Sequence, residues 1–282
     1  MAEARLRPAR DADVDPAYRI LDACELGPWY DLGLDQFRDW WRSYREIWIA
    51  ERDVPVGFSA ARSELVEVYV LPDMRGRGIG SALLEKAEAG VRHRRAEAVT
   101  RRDEVDGARF LEHHGYSRAA ETWLMQVLLD TGIPEPRWPD GTSVRTFRRE
   151  EARAVKDLLD TAYANEPGFR EGPLEEWESF MFGDASFEPE SWFVVEAPDG
   201  SLAAAALNWK EGFVKDLVVH PAQRRKGLGV ALLHHTFRHF KARGLGEVTL
   251  KTDSTNTSQA WRLYERVGMR TIRTLDDWVK EL

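Results

Sequence analysis

The pattern of apolar residues predicts strands and helices in the same order in both halves of the chain. Residues 191–196 and 202–209 are almost continuous apolar runs on either side of a Pro-Asp-Gly turn, which predicts a buried hairpin. Residues 214–219 predict the next strand, and apolar residues spaced three and four apart from Val230 to Phe240 predict a helix. In the first half, residues 65–70 predict the strand equivalent to 214–219. This order indicates a mixed α/β fold.

Two stretches of the second half repeat stretches of the first half. Residues 219–233 read VHPAQRRKGLGVALL and repeat VLPDMRGRGIGSALL at 70–84, an offset of 149 positions. Residues 262–269 read RLYERVGM and repeat RFLEHHGY at 109–116, an offset of 153 positions. Because similar offsets persist over much of each half, the sequence indicates a duplicated domain.

The segment between the two copies is expected to be a linker. Residues 131–142 contain three prolines and two glycines, which the interiors of helices and strands tolerate poorly. We therefore predict an N-terminal domain at residues 1–130 and a C-terminal domain at residues 143–282, each of ordinary domain size.

Composition narrows the classes of function. The 282 residues carry a formal net charge of −8, which argues against a protein whose main task is to bind the phosphate backbones of nucleic acids. The longest purely apolar stretch, residues 202–207, is too short to span a membrane, and Cys24 is the single cysteine. We expect a cytoplasmic protein that has neither nucleic acid nor a membrane as its partner.

Both copies contain a glycine turn between a strand and a helix. The turns run from Arg75 to Gly80 and from Arg224 to Gly229, each with the pattern Arg-x-x-Gly-x-Gly. Backbone amides at a helix N-terminus that no side chain covers favour an anion, most naturally a pyrophosphate. The dinucleotide-binding fingerprint needs a third glycine where Leu83 and Leu232 stand, and the P-loop sequence Gly-Lys-Ser/Thr is absent. A purely structural turn is the alternative, which its occurrence in both copies disfavours.

The second copy resembles the GCN5-related N-acetyltransferases (GNAT). Residues 217–233, LVVHPAQRRKGLGVALL, match the core motif of that family, and residues 256–269, NTSQAWRLYERVGM, match its second signature. The resemblance covers nearly the whole chain as two tandem copies, an arrangement similar to that of mycothiol synthases and some antibiotic-pathway acetyltransferases. It implies two GNAT-like domains, each a mostly antiparallel mixed sheet flanked by helices.

The resemblance also implies acetyl-CoA as the acetyl donor, bound in one or both domains. In the C-terminal domain it assigns cofactor contacts to Leu217, Val218, Val219, Arg224, Arg225, Lys226, Gly227, Leu228, Gly229, Val230 and Asn256. The equivalent residues of the N-terminal domain are Val68, Tyr69, Val70, Arg75, Gly76, Arg77, Gly78 and Gly80.

The same resemblance places Tyr264 beside the cofactor sulfur, where it would supply a proton to the departing thiolate. An ordinary helix tyrosine is the alternative interpretation. Asp216, on the strand before the glycine turn, is the candidate base for the acceptor amine, with Glu211 or ordered water as alternatives. Leu111 stands where the repeat aligns Tyr264, and leucine cannot donate a proton. We therefore expect catalysis in the C-terminal domain and a degenerate, non-catalytic N-terminal domain.

The acceptor is less constrained than the donor. We expect direct acetyl transfer to a primary amine of a small molecule, by a monomer or homodimer. The segments 11–48 and 150–189 are expected to shape the acceptor site. Acetylation of a protein N-terminus or lysine, and an acyl-CoA-binding sensor without turnover, remain alternatives. His235 and His239 have helical spacing for a metal but no third ligand, so we expect a solvated histidine pair and no metal.

Overall fold

The computed structural model describes residues 4–24, 33–92, 94–130, 132–166, 169–255 and 259–282. The chain forms two compact units, one of Met1–Glu121 with Thr274–Leu282 and one of Thr122–Arg273. The elements up to residue 128 are β1 (Arg5–Pro8), α1 (Val14–Ala23), α2 (Leu34–Ser43), β2 (Glu46–Glu51), β3 (Pro55–Arg62), β4 (Leu65–Val70), α3 (Ile79–Ala89), β5 (Arg95–Arg101), α4 (Val105–His113) and β6 (Ser117–Leu128). They are followed by β7 (Ser143–Thr146), α5 (Ala152–Tyr163), α6 (Leu174–Gly183), β8 (Phe193–Glu196), β9 (Leu202–Trp209), β10 (Phe213–Val219), α7 (Leu228–Ala242), β11 (Glu247–Asp253), α8 (Trp261–Arg266) and β12 (Arg270–Glu281).

The sheet of the first unit has the strand order β1-β2-β3-β4-β5-β12. All neighbouring strands are antiparallel except β4 and β5, which are parallel. The parallel pairing joins only Leu65 to Glu97, although β4 continues to Val70 and β5 to Arg101. The two strands therefore diverge. Helices α1 and α2 pack around Phe58, while α3 and α4 pack around Leu84 and Leu111, which buries residues from both helix pairs against the sheet.

The sheet of the second unit has the strand order β6-β11-β10-β9-β8-β7. Its one parallel pair, β10 with β11, joins only Phe213 and Val214 to Thr249 and Leu250. Strand β10 therefore diverges from β11 in the same way as β4 diverges from β5. Apolar residues of α5 pack around Trp192, and those of α7 pack around Leu250. The mixed, mostly antiparallel sheet with flanking helices confirms the predicted fold class.

The two units differ from the predicted halves 1–130 and 143–282, because the last strand of each sheet comes from the other half of the sequence. From Leu275 onward, β12 pairs with β5, and from Thr122 onward, β6 pairs with β11. The indole nitrogen of Trp278 donates to Thr100 Oγ1 at 2.9 Å, which fixes β12 in the first unit. A sequence repeat identifies the strands but does not determine which copy of the sheet each strand completes, because backbone donors and acceptors are the same in both.

The predicted linker packs on the second unit. Within the described range, residues 132–142 contain neither helix nor strand. Arg238 of α7 donates to the carbonyl oxygen of Ile133 at 3.2 Å and pairs with Glu135 at 2.6 Å. Thr131 lies outside the described residues. Among the helices in the part of the chain described, none is long and apolar enough to cross a membrane.

Candidate active site

The two glycine turns have the same backbone conformation. Gly78 and Gly227 precede the first residues of α3 and α7 with φ of +79° and +92°, in the left-handed region that favours glycine. Gly76 and Arg225, at the corresponding position two residues earlier, are left-handed as well, with φ of +70° and +64°. Neither helix has a side-chain cap on its first amides. Both turns therefore present backbone amides that an anion can bind.

The arginine that begins each turn stabilises the turn by hydrogen bonds to backbone carbonyl oxygens. Arg224 Nε donates to the carbonyl oxygen of Val219 at 3.3 Å, and its Nη2 donates to that of Ala162 at 2.9 Å. Arg75 Nε donates to the carbonyl oxygen of Val70 at 3.1 Å. Both arginines were predicted to contact the cofactor. In the structure their guanidinium groups donate to backbone carbonyl oxygens and hold the turn against the strand, so the uncapped backbone amides are the groups of the turn that can receive an anion.

Three further basic residues belong to the predicted cofactor set. Arg77 donates to the carbonyl oxygen of Asp73 at 3.0 Å, and Lys226 donates to Gln223 Oε1 at 2.7 Å. Arg225 is exposed. These side chains lie on the outer surface of the turns, where a cation attracts a phosphate group without needing a fixed contact.

The first unit contains a channel that leads from its glycine turn into the gap between β4 and β5. A cavity of about 400 Å³ is lined by the predicted residues Val68, Tyr69, Val70, Arg75, Gly76, Gly78 and Gly80, together with Ser81, Glu104, Asp106, Gly107 and Phe110. Arg77 is not part of this lining. A smaller cavity of about 70 Å³ shares Tyr69 and Phe110 with it and extends to Glu67, Thr100 and Leu111. These cavities have bare amides at one end and a lining of mixed polar and apolar side chains, and together they offer space for a phosphate group with a narrow organic arm.

The second unit has the corresponding elements. Leu217, Val218 and Val219 lie on the part of β10 that has diverged from β11. Leu228 and Gly229 are buried at the start of α7, and Val230 is half-buried. A Cβ atom on Gly229 would lie 2.9 Å from Leu263 Cδ2, so this glycine permits α8 to approach α7 closely. Asn256, the predicted contact to the cofactor arm, lies outside the described residues.

An open cleft of about 370 Å³ lies against β10, and its other walls are formed by α5, α6 and residues 169–173. Its lining residues are Lys156, Leu159, Asp160, Tyr163, Phe169, Arg170, Gly172, Pro173, Glu176, Trp177, Phe180, Met181, Lys215 and Asp216. All except the last two come from the segment 150–189, which was expected to shape the acceptor site. Asp216 is thus in the cleft, whereas Glu211, the alternative base, is exposed in the turn before β10 and is not part of the lining.

Two tyrosines lie near the Asp216 carboxylate. The Tyr163 hydroxyl donates to Asp216 Oδ1 at 3.0 Å. Burial and the negative charge of Asp216 raise the pKa of Tyr264 above its ordinary value, and the same two causes raise the pKa of Tyr163. Both hydroxyls are therefore protonated at neutral pH. Tyr163 was missed by the sequence analysis, because the last residue of an amphipathic helix matches no motif.

The first unit places different side chains at the equivalent positions. Glu67 lies on β4 at the offset of 149 that relates it to Asp216. It accepts hydrogen bonds from the hydroxyls of Tyr44 and Tyr69. Burial raises the pKa of Glu67 to about 7, against the opposing effect of the two tyrosine hydrogen bonds. Leu111 is buried and lines the inner cavity, so the first unit has no hydroxyl at the position that Tyr264 occupies in the repeat.

The histidine pair on α7 is not solvated as expected. His235 and His239 are half-buried, with their rings edge-on to Phe193 at centroid distances of 4.5 Å and 5.1 Å. Burial lowers the pKa of both imidazoles. Across the described residues, no group of three or more His, Cys, Asp or Glu side chains is placed to hold a metal ion. The pair therefore contributes packing to the second unit.

Known proteins share both the sequence pattern and the fold. The profile of the acetyltransferase (GNAT) family matches residues 153–269, and that of the acetyltransferase (GNAT) domain matches residues 43–118. A mycothiol acetyltransferase from Thermobispora bispora is 33% identical over 221 residues, which cover 72% of this chain and 71% of that protein. The chain belongs to the GNAT acetyltransferase family. The resemblance inferred from the glycine turns and the second signature is thereby confirmed.

Solved structures show that the similarity in fold extends over nearly the whole chain. A GCN5-related N-acetyltransferase from Sphaerobacter thermophilus superimposes with a TM-score of 0.83 at 25% identity, covering 99% of this chain and 95% of that one. A tandem GNAT protein from the clavulanic acid biosynthesis pathway has the same fold, with a TM-score of 0.73 at 18% identity and coverage of 99% and 98%. The protein is thus a tandem GNAT N-acetyltransferase, and the family generally uses acetyl-CoA.

Proposed function

We propose that the second unit transfers the acetyl group of acetyl-CoA directly to the primary amine of a small molecule. The observation that carries this proposal is the position of Asp216. Its carboxylate lines an open cleft, and its negative charge is close enough to the buried Tyr264 hydroxyl to raise the pKa of that group. A carboxylate near the amine and a protonated hydroxyl near the leaving group can carry out the two proton transfers that accompany acyl transfer to an amine.

Each residue has a distinct task in this proposal. Asp216 accepts the proton that the acceptor amine releases, and Tyr163 orients Asp216 through its hydrogen bond to Oδ1. Acetyl-CoA supplies the thioester, so that a carbon–nitrogen bond forms and the carbon–sulfur bond breaks. Tyr264 gives its proton to the departing sulfur and regains a proton from solvent. Because burial and the charge of Asp216 raise the pKa of Tyr264, its hydroxyl is protonated at neutral pH but is a weaker acid than an exposed tyrosine. It therefore acts by hydrogen-bonding the sulfur and transfers its proton only as negative charge develops there.

The backbone of the second unit holds the donor. The amides that follow Gly227 bind the pyrophosphate at the start of α7, where the helix dipole favours negative charge. The diverged strand at Leu217, Val218 and Val219 contacts the pantetheine arm. The register pairs the Val218 amide with Ala205, so the amides of Leu217 and Val219 point away from β9 into the gap. One of these two amides stabilises the negative charge that develops on the acetyl oxygen.

In this proposal the first unit binds acetyl-CoA without turnover. Its channel begins at a glycine turn with the same left-handed backbone and is open to a ligand. Its carboxylate, Glu67, is enclosed by Tyr44 and Tyr69, and Leu111 provides no proton. Both units thus bind acetyl-CoA, but only the second carries out the chemistry.

A small acceptor is supported by the size of the cleft in the second unit. Its volume of about 370 Å³ lies in the range of pockets that bind small molecules. The relatives found by sequence are named mycothiol acetyltransferases, and we extend to this chain only the general class of a small-molecule acceptor.

The proposal is tested by thiol release with a panel of small amines, combined with calorimetric titration of acetyl-CoA into Gly78→Val and Gly227→Val variants. Valine cannot adopt the left-handed backbone of either glycine without strain, and its side chain covers the amides. We expect two binding sites in the wild type and one in each variant, with turnover lost in Gly227→Val. Turnover that survives in Gly227→Val would locate the active site in the first unit. Binding without thiol release from any amine would favour a protein acceptor or a sensor.

A further inference from the structure

Two consecutive residues of β10 face the acceptor cleft because the strand is bulged. Opposite β9, Val214 pairs with Asn208 and Asp216 pairs with the very next residue, Leu207, so Lys215 is an extra residue. Successive side chains of a regular strand point to opposite faces of the sheet. Here Lys215 and Asp216 both line the cleft. The bulge therefore adds a cation to the site of the proposed base.

The other unit shows that this cation is not a general feature of the fold. Strand β4 pairs with β3 without a register shift, with Ala60 opposite Glu67 and Ala61 opposite Val66. Val66 stands at the position equivalent to Lys215, and it is buried in the core. The bulge and its lysine are thus specific to the second unit, which we propose to be the catalytic one.

The two lysines of the cleft differ in how closely they are paired with a carboxylate. Lys156 and Asp160 form an ion pair at 2.5 Å, with 7% and 19% of their side-chain surface exposed. The Lys215 ammonium lies 3.6 Å from Asp216 Oδ2, which is beyond hydrogen-bond length, and a third of its side chain is exposed. Among the described residues, Lys215 Nζ donates no hydrogen bond. Lys215 therefore has donors available for a ligand in the cleft.

We propose that Lys215 binds a carboxylate carried by the acceptor, so that the second unit acetylates α-amino acids and related small α-amino carboxylates. This inference rests on the proposed function. In such an acceptor the amine and the carboxylate are attached to the same carbon atom, and Asp216 and Lys215 offer an adjacent anion and cation to receive them. Arg170, exposed at the edge of the same cleft, adds a second positive charge. The contact between Lys215 and the acceptor carboxylate then holds the neighbouring amine of the acceptor against Asp216.

The proposal is tested with matched pairs of acceptors, phenylalanine with phenylalaninamide and alanine with alaninamide. We expect kcat/KM to be roughly ten- to a hundredfold higher for the acid than for the amide, because a charge-assisted hydrogen bond contributes about 1.5–3 kcal/mol. Lys215→Met should abolish this preference, and Lys215→Arg should retain most of it. Since the amide also has a less basic amine, the acid-to-amide ratio is compared between variants, where that difference cancels.

Lys210→Met is the matched control, since Lys210 is an exposed lysine in the turn before β10 that does not line the cleft. It should retain the wild-type preference. Equal use of acids and amides by the wild type, or an undiminished preference in Lys215→Met, would overturn the subsite while leaving acetyl transfer in place. If no acceptor gives thiol release, calorimetric titration of phenylalanine into the CoA-saturated protein tests the carboxylate subsite separately from the reaction. Binding that depends on Lys215 without any thiol release retains the subsite and rejects the proposed function, whereas the absence of both rejects both.

Discussion

Glu67 and Asp216 occupy equivalent positions on β4 and β10, but only Asp216 lies in an open cleft. The two oxygens of Glu67 accept hydrogen bonds from Tyr44 and Tyr69, and the residue is 8% exposed. Asp216 accepts one such bond, from Tyr163, and its second oxygen faces Lys215. The duplication has thus kept a carboxylate in both units while enclosing one of them. Glu67 lines a cavity of only about 70 Å³, and both of its oxygens already accept hydrogen bonds. It is therefore less accessible to an acceptor amine than Asp216, which supports assigning the chemistry to the second unit.

The first prediction concerns Asp216. Asp216→Asn keeps the size of the side chain but removes the proton acceptor, so we expect kcat/KM to fall by about a hundred- to ten-thousandfold. Acetyl-CoA affinity should be unchanged. The measurement is thiol release at saturating acetyl-CoA, with Asp199→Asn, an exposed residue of the β8–β9 turn, as the matched control. A variant that keeps more than a tenth of the wild-type rate would show that another group or water takes the proton.

The second prediction concerns Tyr264. Tyr264→Phe removes a hydroxyl that burial keeps protonated, and we expect kcat to fall by about a hundredfold with little change in acetyl-CoA binding. Tyr116→Phe is the control, because it deletes another buried hydroxyl, one that donates to Glu88 in the first unit. If both variants keep the wild-type rate, Tyr264 is a packing residue and the thiolate takes its proton from water.

The third prediction is a pH dependence of stability caused by Glu67. Its folded pKa of about 7 lies above the ordinary value of 4.5, so the unfolded chain loses this proton at a lower pH than the folded chain does. The contribution of Glu67 to the free energy of unfolding is therefore favourable at low pH. It is lost as the pH rises through the folded pKa, by roughly 3 kcal/mol in total.

Glu67→Gln cannot ionise and should therefore gain stability relative to the wild type between about pH 5 and pH 8. Denaturant unfolding of both proteins across this range measures the difference, in which the titration of all other groups, including Glu104, cancels. A difference that does not change with pH would contradict the raised pKa of Glu67.

The sequence was most informative where local pattern determines structure. The strands Leu65–Val70 and Leu202–Trp209 agree with the structure at both ends, because short apolar runs next to turns specify buried strands. Both glycine turns have the expected helix after them, since Gly78 and Gly227 adopt a backbone conformation that other residues avoid.

Features that depend on distant contacts could not be predicted in this way. Strict alternation along β10 would place Lys215 and Asp216 on opposite faces, and only the pairing with β9 reveals the bulge. The hydrogen bond from Tyr163 to Asp216 joins residues 53 positions apart, outside any local motif. The exchange of β6 and β12 was missed for the same reason, because the partner of a strand is not encoded in the periodicity of that strand.

The last prediction uses this exchange. Trp278 belongs to the C-terminal half of the sequence, but it is 4% exposed in the core of the first unit and donates to Thr100. Trp278→Ala should therefore cost about 3–5 kcal/mol and reduce hydrogen-exchange protection in β4 and β5, while β9 and β10 keep theirs. Val54→Ala, at a position 62% exposed in the β2–β3 turn, should leave protection unchanged. Loss of protection confined to β9 and β10 would show that β12 completes the sheet of the second unit, since a strand protects the sheet with which it pairs.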